Sequence, residues 1–317
     1  MMETMIRIEK LAKRYGNVRA LNGLDMQVEA GVVYGFLGPN GAGKTTTLRI
    51  LSGLARADGG QAWIMGQPVG LQGLGKRPIM GVLPEEPAFY PWMTPREYLR
   101  DFVAPLYHLD AKEAAERTKE ILAEVGLEKV AKRRIGGFSR GMRQRLGLAQ
   151  ALIHQPSILL LDEPVSALDP AGRREVLDLI ENLRGRATIL LSTHILADVE
   201  RICDTVGIIN KGRMVLESDR QALLDRYAMP VFEIEVEHSG MDWSSQITQL
   251  PVVDALQMNG RVARVHVREI HQAQRELLAL LAQNGLLIRR FEITHPSLED
   301  IFLKLTGGFE PEISKGG

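Results

Sequence analysis

The stretch that decides the fold is Gly38-Pro39-Asn40-Gly41-Ala42-Gly43-Lys44-Thr45, followed by Thr46. It fits the template G-x-x-x-x-G-K-[S/T] at every fixed position. In that template glycines turn backbone N–H groups toward anionic oxygens, the lysine reaches the β- and γ-phosphates, and the hydroxyl holds Mg²⁺. The sequence therefore predicts a triphosphate site built from residues 38–46.

The residues on either side of this loop fit a strand and a helix. The apolar run Val32–Leu37 predicts a buried strand. The segment Lys44–Leu54 predicts a helix that ends near Gly53, because three leucines recur at helical spacing, namely Leu48, Leu51 and Leu54. The phosphates would then lie at a helix N-terminus, where the dipole and unpaired N–H groups favour anions.

A second motif places two acids at the end of an apolar run. Ile158–Leu161 predicts a buried parallel strand, and Asp162 and Glu163 follow it. Open α/β sheets bind their ligands at the carboxyl ends of such strands. Asp162 is suited to hold Mg²⁺, and Glu163 is suited to act as a general base on the attacking water.

The base is predicted to be adenine rather than guanine. Asn210-Lys211 is able to open the guanine-reading pattern N-K-x-D, but Arg213 stands where its aspartate belongs. Together with the phosphate loop, this predicts that the chain binds ATP.

A third motif identifies a family resemblance. Phe138-Ser139-Arg140-Gly141-Met142 resembles the signature loop of ATP-binding cassette (ABC) proteins, usually written LSGGQ. The resemblance covers about residues 5 to 220. It implies three further assignments: the adenine-stacking aromatic is Tyr15, the D-loop Ser166-Ala167-Leu168-Asp169 ends at Asp169, and the switch histidine is His194. It also implies a P-loop ATPase core of α/β class with antiparallel β and helical subdomains.

Two departures from the family pattern concern the site. Glu85 stands at the Q-loop glutamine, where it still offers oxygen to Mg²⁺ but adds negative charge. Arg140 replaces the first signature glycine, and Met142 replaces the glutamine. Arg140 either adds a cation near phosphate or faces solvent, and solvent is the favoured interpretation.

The resemblance has a geometric consequence. In ABC proteins the signature loop contacts the γ-phosphate bound to the opposite subunit. This chain has one P-loop and one signature, so it would hold half of two composite sites. Because Glu163, His194 and Ser139 are all present, a homodimer is expected to have two competent sites.

Composition limits the partners and the location. The 317 residues suggest two domains, and the net charge of +0 gives no general attraction to nucleic acid. Cys203, the single cysteine, excludes an internal disulfide and suits a reducing compartment. No apolar run reaches the ~20 residues that cross a bilayer. These observations predict a cytosolic protein, or one held at a membrane by something else. The resemblance to ABC proteins implies a peripheral position at the cytoplasmic face of the membrane.

The pattern along the chain predicts two domains and a tail. The nucleotide-binding domain is placed at residues 1–225, with an antiparallel sheet that includes Ile6–Gly31 and Trp63–Met65 after a Gly59-Gly60 turn. Its helical subdomain is placed at about residues 87–154. A small C-terminal α/β domain is expected at residues 226–306, and a disordered tail at residues 307–317.

The C-terminal domain points to a branch of the family. Its ending, His295-Pro296-Ser297-Leu298-Glu299-Asp300-Ile301-Phe302, resembles the extension of exporter ATPases for drugs, polysaccharides, sodium, lipids or copper-site maturation. The resemblance implies an ATPase subunit that serves separate permease subunits. The alternative is a soluble ABC ATPase acting on ribosomes or DNA, but such proteins usually carry two cassettes or a long coiled coil.

A group of aromatic residues is the predicted contact with a permease. Phe89, Tyr90 and Trp92 follow the Q-loop in sequence, beside the helical subdomain. They either receive a cytoplasmic helix of the permease or are buried within the subdomain, and the sequence leaves both open.

Overall fold

The computed structural model describes residues 3–70, 80–166, 168–226, 230–237 and 243–294. The chain divides into two compact units, the first extending to Arg220 and the second beginning at Gln221. The interpretations that concern Ala167, the segment 295–302 and the tail 307–317 lie outside the described residues. In the described part, no helix is long and apolar enough to cross a membrane.

The first unit contains two sheets and a helical region. Its strands are β1 (Thr4–Tyr15), β2 (Val18–Glu29), β3 (Val33–Leu37), β4 (Gly59–Ile64), β5 (Gln67–Pro68), β6 (Met80–Leu83), β7 (Ile158–Asp162), β8 (Thr188–Thr193), β9 (Thr205–Asn210) and β10 (Arg213–Asp219). Its helices are α1 (Lys44–Leu51), α2 (Pro95–Glu97), α3 (Ala104–Leu106), α4 (Ala111–Glu124), α5 (Arg140–Leu152), α6 (Pro170–Glu181) and α7 (Leu196–Ile202), with a π-helical segment at Tyr98–Val103.

The larger sheet positions the functional loops. Its strand order is β10-β9-β3-β8-β7-β6, and β3, β7 and β8 are parallel neighbours that are buried along their whole length. Burial on both faces explains why each of these strands is a nearly continuous apolar run. Leu37 pairs with Thr193 and Asp162 with Ser192, so three strands end at one edge. The residues that follow those ends therefore meet.

The smaller antiparallel sheet has the order β2-β1-β4-β5. The sequence predicted an antiparallel sheet here. The predicted turn at Gly59-Gly60 was wrong, because both glycines lie inside β4. A Cβ at Gly60 would lie 2.2 Å from the Lys10 carbonyl oxygen, so close strand approach explains the glycine. The end of α1 was also predicted too late. The helix stops at Leu51, and Leu54 is 76% exposed rather than packed.

The helical region runs between β6 and β7. Thr94 and Glu97 form a reciprocal capping box at the start of α2, with Pro95 at the first helical position. Asp110 caps α4 by accepting from two backbone N–H groups. Ser139 caps α5, the helix that carries the signature residues.

The second unit is a four-stranded antiparallel sheet with helices. Its elements are α8 (Arg220–Arg226), β11 (Val231–Val236), α9 (Trp243–Ile247), β12 (Val253–Asn259), β13 (Val262–Val267), α10 (Ile270–Gln283) and β14 (Ile288–Thr294), with the strand order β12-β13-β11-β14. Phe232, Val265 and Leu277 are completely buried together in its core. Alternating apolar residues indicate β11 and β13, and the leucine-rich segment indicates α10, whereas the pattern over Val253–Asn259 is too irregular to indicate β12.

Candidate active site

The loop between β3 and α1 is built so that only glycine fits at two positions. A Cβ at Gly38 would lie 2.4 Å from the Ile209 carbonyl oxygen. Gly43 has a φ of +116°, and its Cβ would lie 2.7 Å from the Ala20 carbonyl oxygen. Side chains at these positions would clash with residues of the neighbouring strands, so the loop needs glycine to keep this conformation. The loop therefore fits an anionic oligophosphate at the N-terminus of α1.

Lys44 brings a buried positive charge to the loop. Its Nζ donates to the Gly38 carbonyl oxygen at 2.6 Å and lies 3.3 Å from Oε1 of Glu163. Its side chain is only 6% exposed. Because an ammonium is costly to bury without partners, the carbonyl and the carboxylate are what hold it there.

Three oxygen-bearing side chains fit the predicted magnesium ligands. Thr45 Oγ1 donates to Oδ1 of Asp162 at 3.2 Å, and Ser192 Oγ donates to the same oxygen at 2.6 Å. Thr45, Asp162 and Glu85 line one cavity of about 280 Å³. Hydroxyl and carboxylate oxygens are the ligands that Mg²⁺ prefers, so these three side chains suit the ion.

Glu163 lies between a lysine and a histidine. Its carboxylate contacts Lys44 through Oε1 and lies 2.9 Å from Nδ1 of His194 through Oε2. The residue has a φ of +46°, and its backbone N–H donates to the Ser192 carbonyl oxygen at 3.1 Å. A positive φ is uncommon for glutamate and marks a constrained position. The turn ends β7 and places a carboxylate and an imidazole side by side.

The signature residues lie in a different cavity. Ser139 Oγ accepts from the backbone N–H of Met142 at 3.2 Å. Ser139, Arg140 and Gly141 line a cavity of about 260 Å³ together with Leu168 and Asp169 of the D-loop. The structure thus gathers the P-loop, Asp162, Glu163 and His194 in one place, and the signature residues with Leu168 and Asp169 in another.

Tyr15 lies at the end of β1. It is 47% exposed, and the Lys13 ammonium lies 5.2 Å from its ring centre. The exposed ring face is available for stacking.

Two features of the site were not predicted from the sequence. Ser192 bridges the site by donating to Asp162 and by accepting from the Glu163 backbone N–H at 3.2 Å. Arg173 forms an ion pair with Asp198, which is 1% exposed. A serine at a strand end and an acid one turn after His194 are signals too common to be specific.

Comparison with known proteins identifies the family. The family model for ABC transporter matches residues 21–166, and the model for ATP-binding protein DrrA1-3-like, C-terminal domain, matches residues 219–306. An uncharacterized ABC transporter ATP-binding protein of Bacillus subtilis is 41% identical, covering 95% of this chain and 99% of the relative. The bacitracin transport ATP-binding protein of Bacillus licheniformis is 36% identical, covering 97% and 99%.

Solved structures agree on the fold. An ATP-binding subunit of an ABC transporter matches with a TM-score of 0.62 and 30% identity, over 70% of this chain and 93% of that chain. An ATP-binding cassette in its ADP conformation matches with a TM-score of 0.61 at 22% identity, covering 69% and 92%. The relatives are transporter subunits, so they do not support the alternative of a ribosome- or DNA-directed ATPase. This chain belongs to the ATP-binding cassette family and is an ATP-binding, ATP-hydrolysing subunit of an ABC transporter.

Proposed function

We propose that this chain powers an exporter as one of two nucleotide-binding domains, with each ATP held between the P-loop of one copy and the signature loop of the other. The observation that carries the proposal is the separation of the two cavities within one chain. Ser139 and Gly141 lie beside the D-loop rather than beside Lys44, so a second copy is needed to bring them to the phosphates. Relatives named for daunorubicin resistance and Nod factor export support the exporter role.

The P-loop side of the site would bind and orient the triphosphate. The loop N–H groups and Lys44 hold the phosphates, while Thr45, Asp162 and Glu85 would hold Mg²⁺. When bound, the ion neutralises charge on the β- and γ-phosphates. Phosphoryl transfer has a loose transition state, so its catalysis is mainly positioning and charge stabilisation.

Glu163 and His194 would act on the attacking water. The Glu163 carboxylate would accept the water proton as the water oxygen attacks the γ-phosphorus, while the bond from that phosphorus to the β–γ bridging oxygen breaks and ADP leaves with phosphate as the second product. His194 contacts the same carboxylate at 2.9 Å and therefore fixes its orientation. Ser139 and the helix N-terminus of α5, from the second copy, would stabilise charge on the γ-phosphate from the opposite side.

An exposed aromatic cluster is the proposed contact with the permease. Tyr90 lies 5.2 Å from both Trp92 and Phe102, measured between ring centres. Trp92 is 65% exposed and Tyr90 is 40% exposed, whereas Phe89 packs edge-on against the buried Tyr98. Aromatic anchors of this kind dominate the energy of protein interfaces. We place the chain at the cytoplasmic face of the membrane through this contact and expect no nucleic acid partner.

The test is the ATPase rate per chain against protein concentration. Wild type is expected to gain specific activity as copies pair, and Glu163→Gln is expected to lose about 10²- to 10⁴-fold in kcat. Glu116→Gln, an exposed acid on α4, is the matched control and should behave as wild type. Full activity of Glu163→Gln, or a rate independent of protein concentration, would contradict the proposal. Purification from membranes should also recover a multi-spanning protein.

A further inference from the structure

A buried ion pair joins the helix that follows the D-loop to the helix that follows His194. Asp198 lies on the first turn of α7 and is 1% exposed. Its Oδ1 accepts from Arg173 Nε at 2.8 Å and from Arg173 Nη2 at 2.7 Å. Its Oδ2 is buried without a hydrogen-bond partner in the described residues. A buried carboxylate with one orphan oxygen is costly, so a plain packing role does not explain it.

The pair connects two functional loops over a short path. Arg173 lies on the first turn of α6, and its backbone N–H donates to the Asp169 carbonyl oxygen at 2.9 Å. Asp198 lies four residues after His194, at the start of α7. The D-loop is therefore connected through Arg173 to α7, the helix that begins two residues after His194.

The other side of α7 is fixed against β3. A Cβ at Gly35 would lie 2.9 Å from Val199 of α7 and 2.8 Å from Cys203, which directly follows α7. The helix therefore packs closely on β3 on this side. The Arg173–Asp198 pair connects it to α6 at the end of α7 nearest His194.

The electrostatics agree with this placement. Burial raises the pKa of Asp198, whereas hydrogen bonding and charge attraction from Arg173 act in the opposite direction. The negative charge of Glu163 raises that pKa further, and His194 lowers it. The charges of Glu163 and His194 therefore both act on Asp198.

We infer that Asp198 and Arg173 are positioning residues. They hold His194, and through it Glu163, in a fixed position relative to the D-loop. The inference rests on the proposed roles of Glu163 and His194. Asp169 shares a cavity with Ser139 and Gly141, where a second copy would dock. The Arg173–Asp198 pair would therefore couple that docking to the position of the Glu163 carboxylate. Loss of the pair should misplace the base and leave the phosphate cradle intact.

The experiment compares two ion pairs between the same helices. Asp198→Asn removes the buried pair, and Asp178→Asn removes the exposed pair that Asp178 forms with Arg201. We expect Asp198→Asn to lower kcat about 10- to 100-fold with KM for ATP within about threefold of wild type. Asp178→Asn should leave both constants unchanged.

A second variant and a double variant keep the test decisive. Arg173→Lys retains the charge at a partly exposed side chain, so it should fold and should lower kcat less than Asp198→Asn does. If the residues act as one unit, the double variant Asp198→Asn/Arg173→Gln should lose no more activity than the worse single variant. Unchanged kcat in Asp198→Asn and Arg173→Lys, or a parallel loss of kcat and ATP affinity, would overturn the inference. Glu163→Gln is assayed alongside, because its full activity would instead refute the proposed function.

Discussion

The substitution Gly141→Ala tests whether glycine at this position is required for folding or for contact with the phosphate bound to a second copy. Gly141 lies in α5, and a Cβ there would meet only Leu168 Cδ2, at the ordinary contact distance of 3.8 Å. Nothing described within this chain requires glycine at the position. Gly147, in the same helix, is the matched opposite, because its Cβ would lie 2.5 Å from Leu83 Cδ1 and 3.3 Å from Pro87.

The expected stabilities follow from those distances. Replacing a helical glycine by alanine gains about 0.5–1 kcal/mol when no contact is disturbed, and the gain is at the lower end near a helix terminus. Gly141→Ala should therefore stabilise the protein by about 0.5 kcal/mol. Leu83 is completely buried and cannot move aside, so Gly147→Ala should destabilise it by about 1–3 kcal/mol through overpacking.

The expected activities run the other way. If the backbone at Gly141 approaches the γ-phosphate on a second copy, an added methyl obstructs that approach and should lower kcat about 10²-fold. Gly147→Ala should keep its activity at temperatures where it is folded. Chemical denaturation and steady-state ATPase assays on the two variants measure both effects. A Gly141→Ala protein with wild-type turnover, or one that is destabilised, would refute the reasoning.

Three further predictions follow from other parts of the structure. Burial lowers the pKa of His154 to about 4. Between about pH 6.5 and pH 4 the unfolded chain therefore binds a proton that the folded chain does not, and the free energy of unfolding should fall as the pH drops through that window. After allowing for partial solvent screening, the loss at pH 5 should be about 1–2 kcal/mol. His154→Gln should remove this part of the pH dependence in urea titrations. Tyr34 donates to Glu217 at 2.7 Å, and Tyr34→Phe should cost about 1–2 kcal/mol in the same titrations without changing KM for ATP. Replacing Tyr90 and Trp92 by alanine should abolish ATP-driven transport in vesicles but spare basal ATPase, and a loss of folding would instead show that these rings are structural.

Much of the site could be predicted because its residues directly follow short sequence patterns that indicate strands. The phosphate loop, the acids after Ile158–Leu161 and His194 after β8 each follow an apolar run. The carboxyl ends of parallel strands meet at one edge of a sheet, so proximity followed from strand order. The capping contacts of Thr94 and Ser139 are equally local, since each joins groups that lie within three residues of each other.

What the sequence did not predict depends on long-range packing. Gly60 is explained by the Lys10 carbonyl oxygen, fifty residues away, and the Arg173–Asp198 pair spans twenty-five residues. The exposed end at Leu54 also escaped prediction, because its leucine spacing continues the helical pattern after the backbone has stopped following it. For Gly60 and for the ion pair the deciding contact comes from another element, and a pattern within one segment carries no information about it.

The charges at the site give a further reason to propose that its two halves act from different copies. Lys44 has one ammonium, and it is shared between a carbonyl oxygen and the Glu163 carboxylate inside the chain. A triphosphate entering the loop competes with Glu163 for that ammonium, since both are anions that need the same buried cation. Positive charge from outside the chain reduces this conflict, and the N-terminus of α5 with its capping Ser139 offers it. Pairing of two copies would thus allow Lys44 to bind phosphate and leave Glu163 oriented by His194, so hydrolysis would depend on a second copy for electrostatic reasons as well as geometric ones.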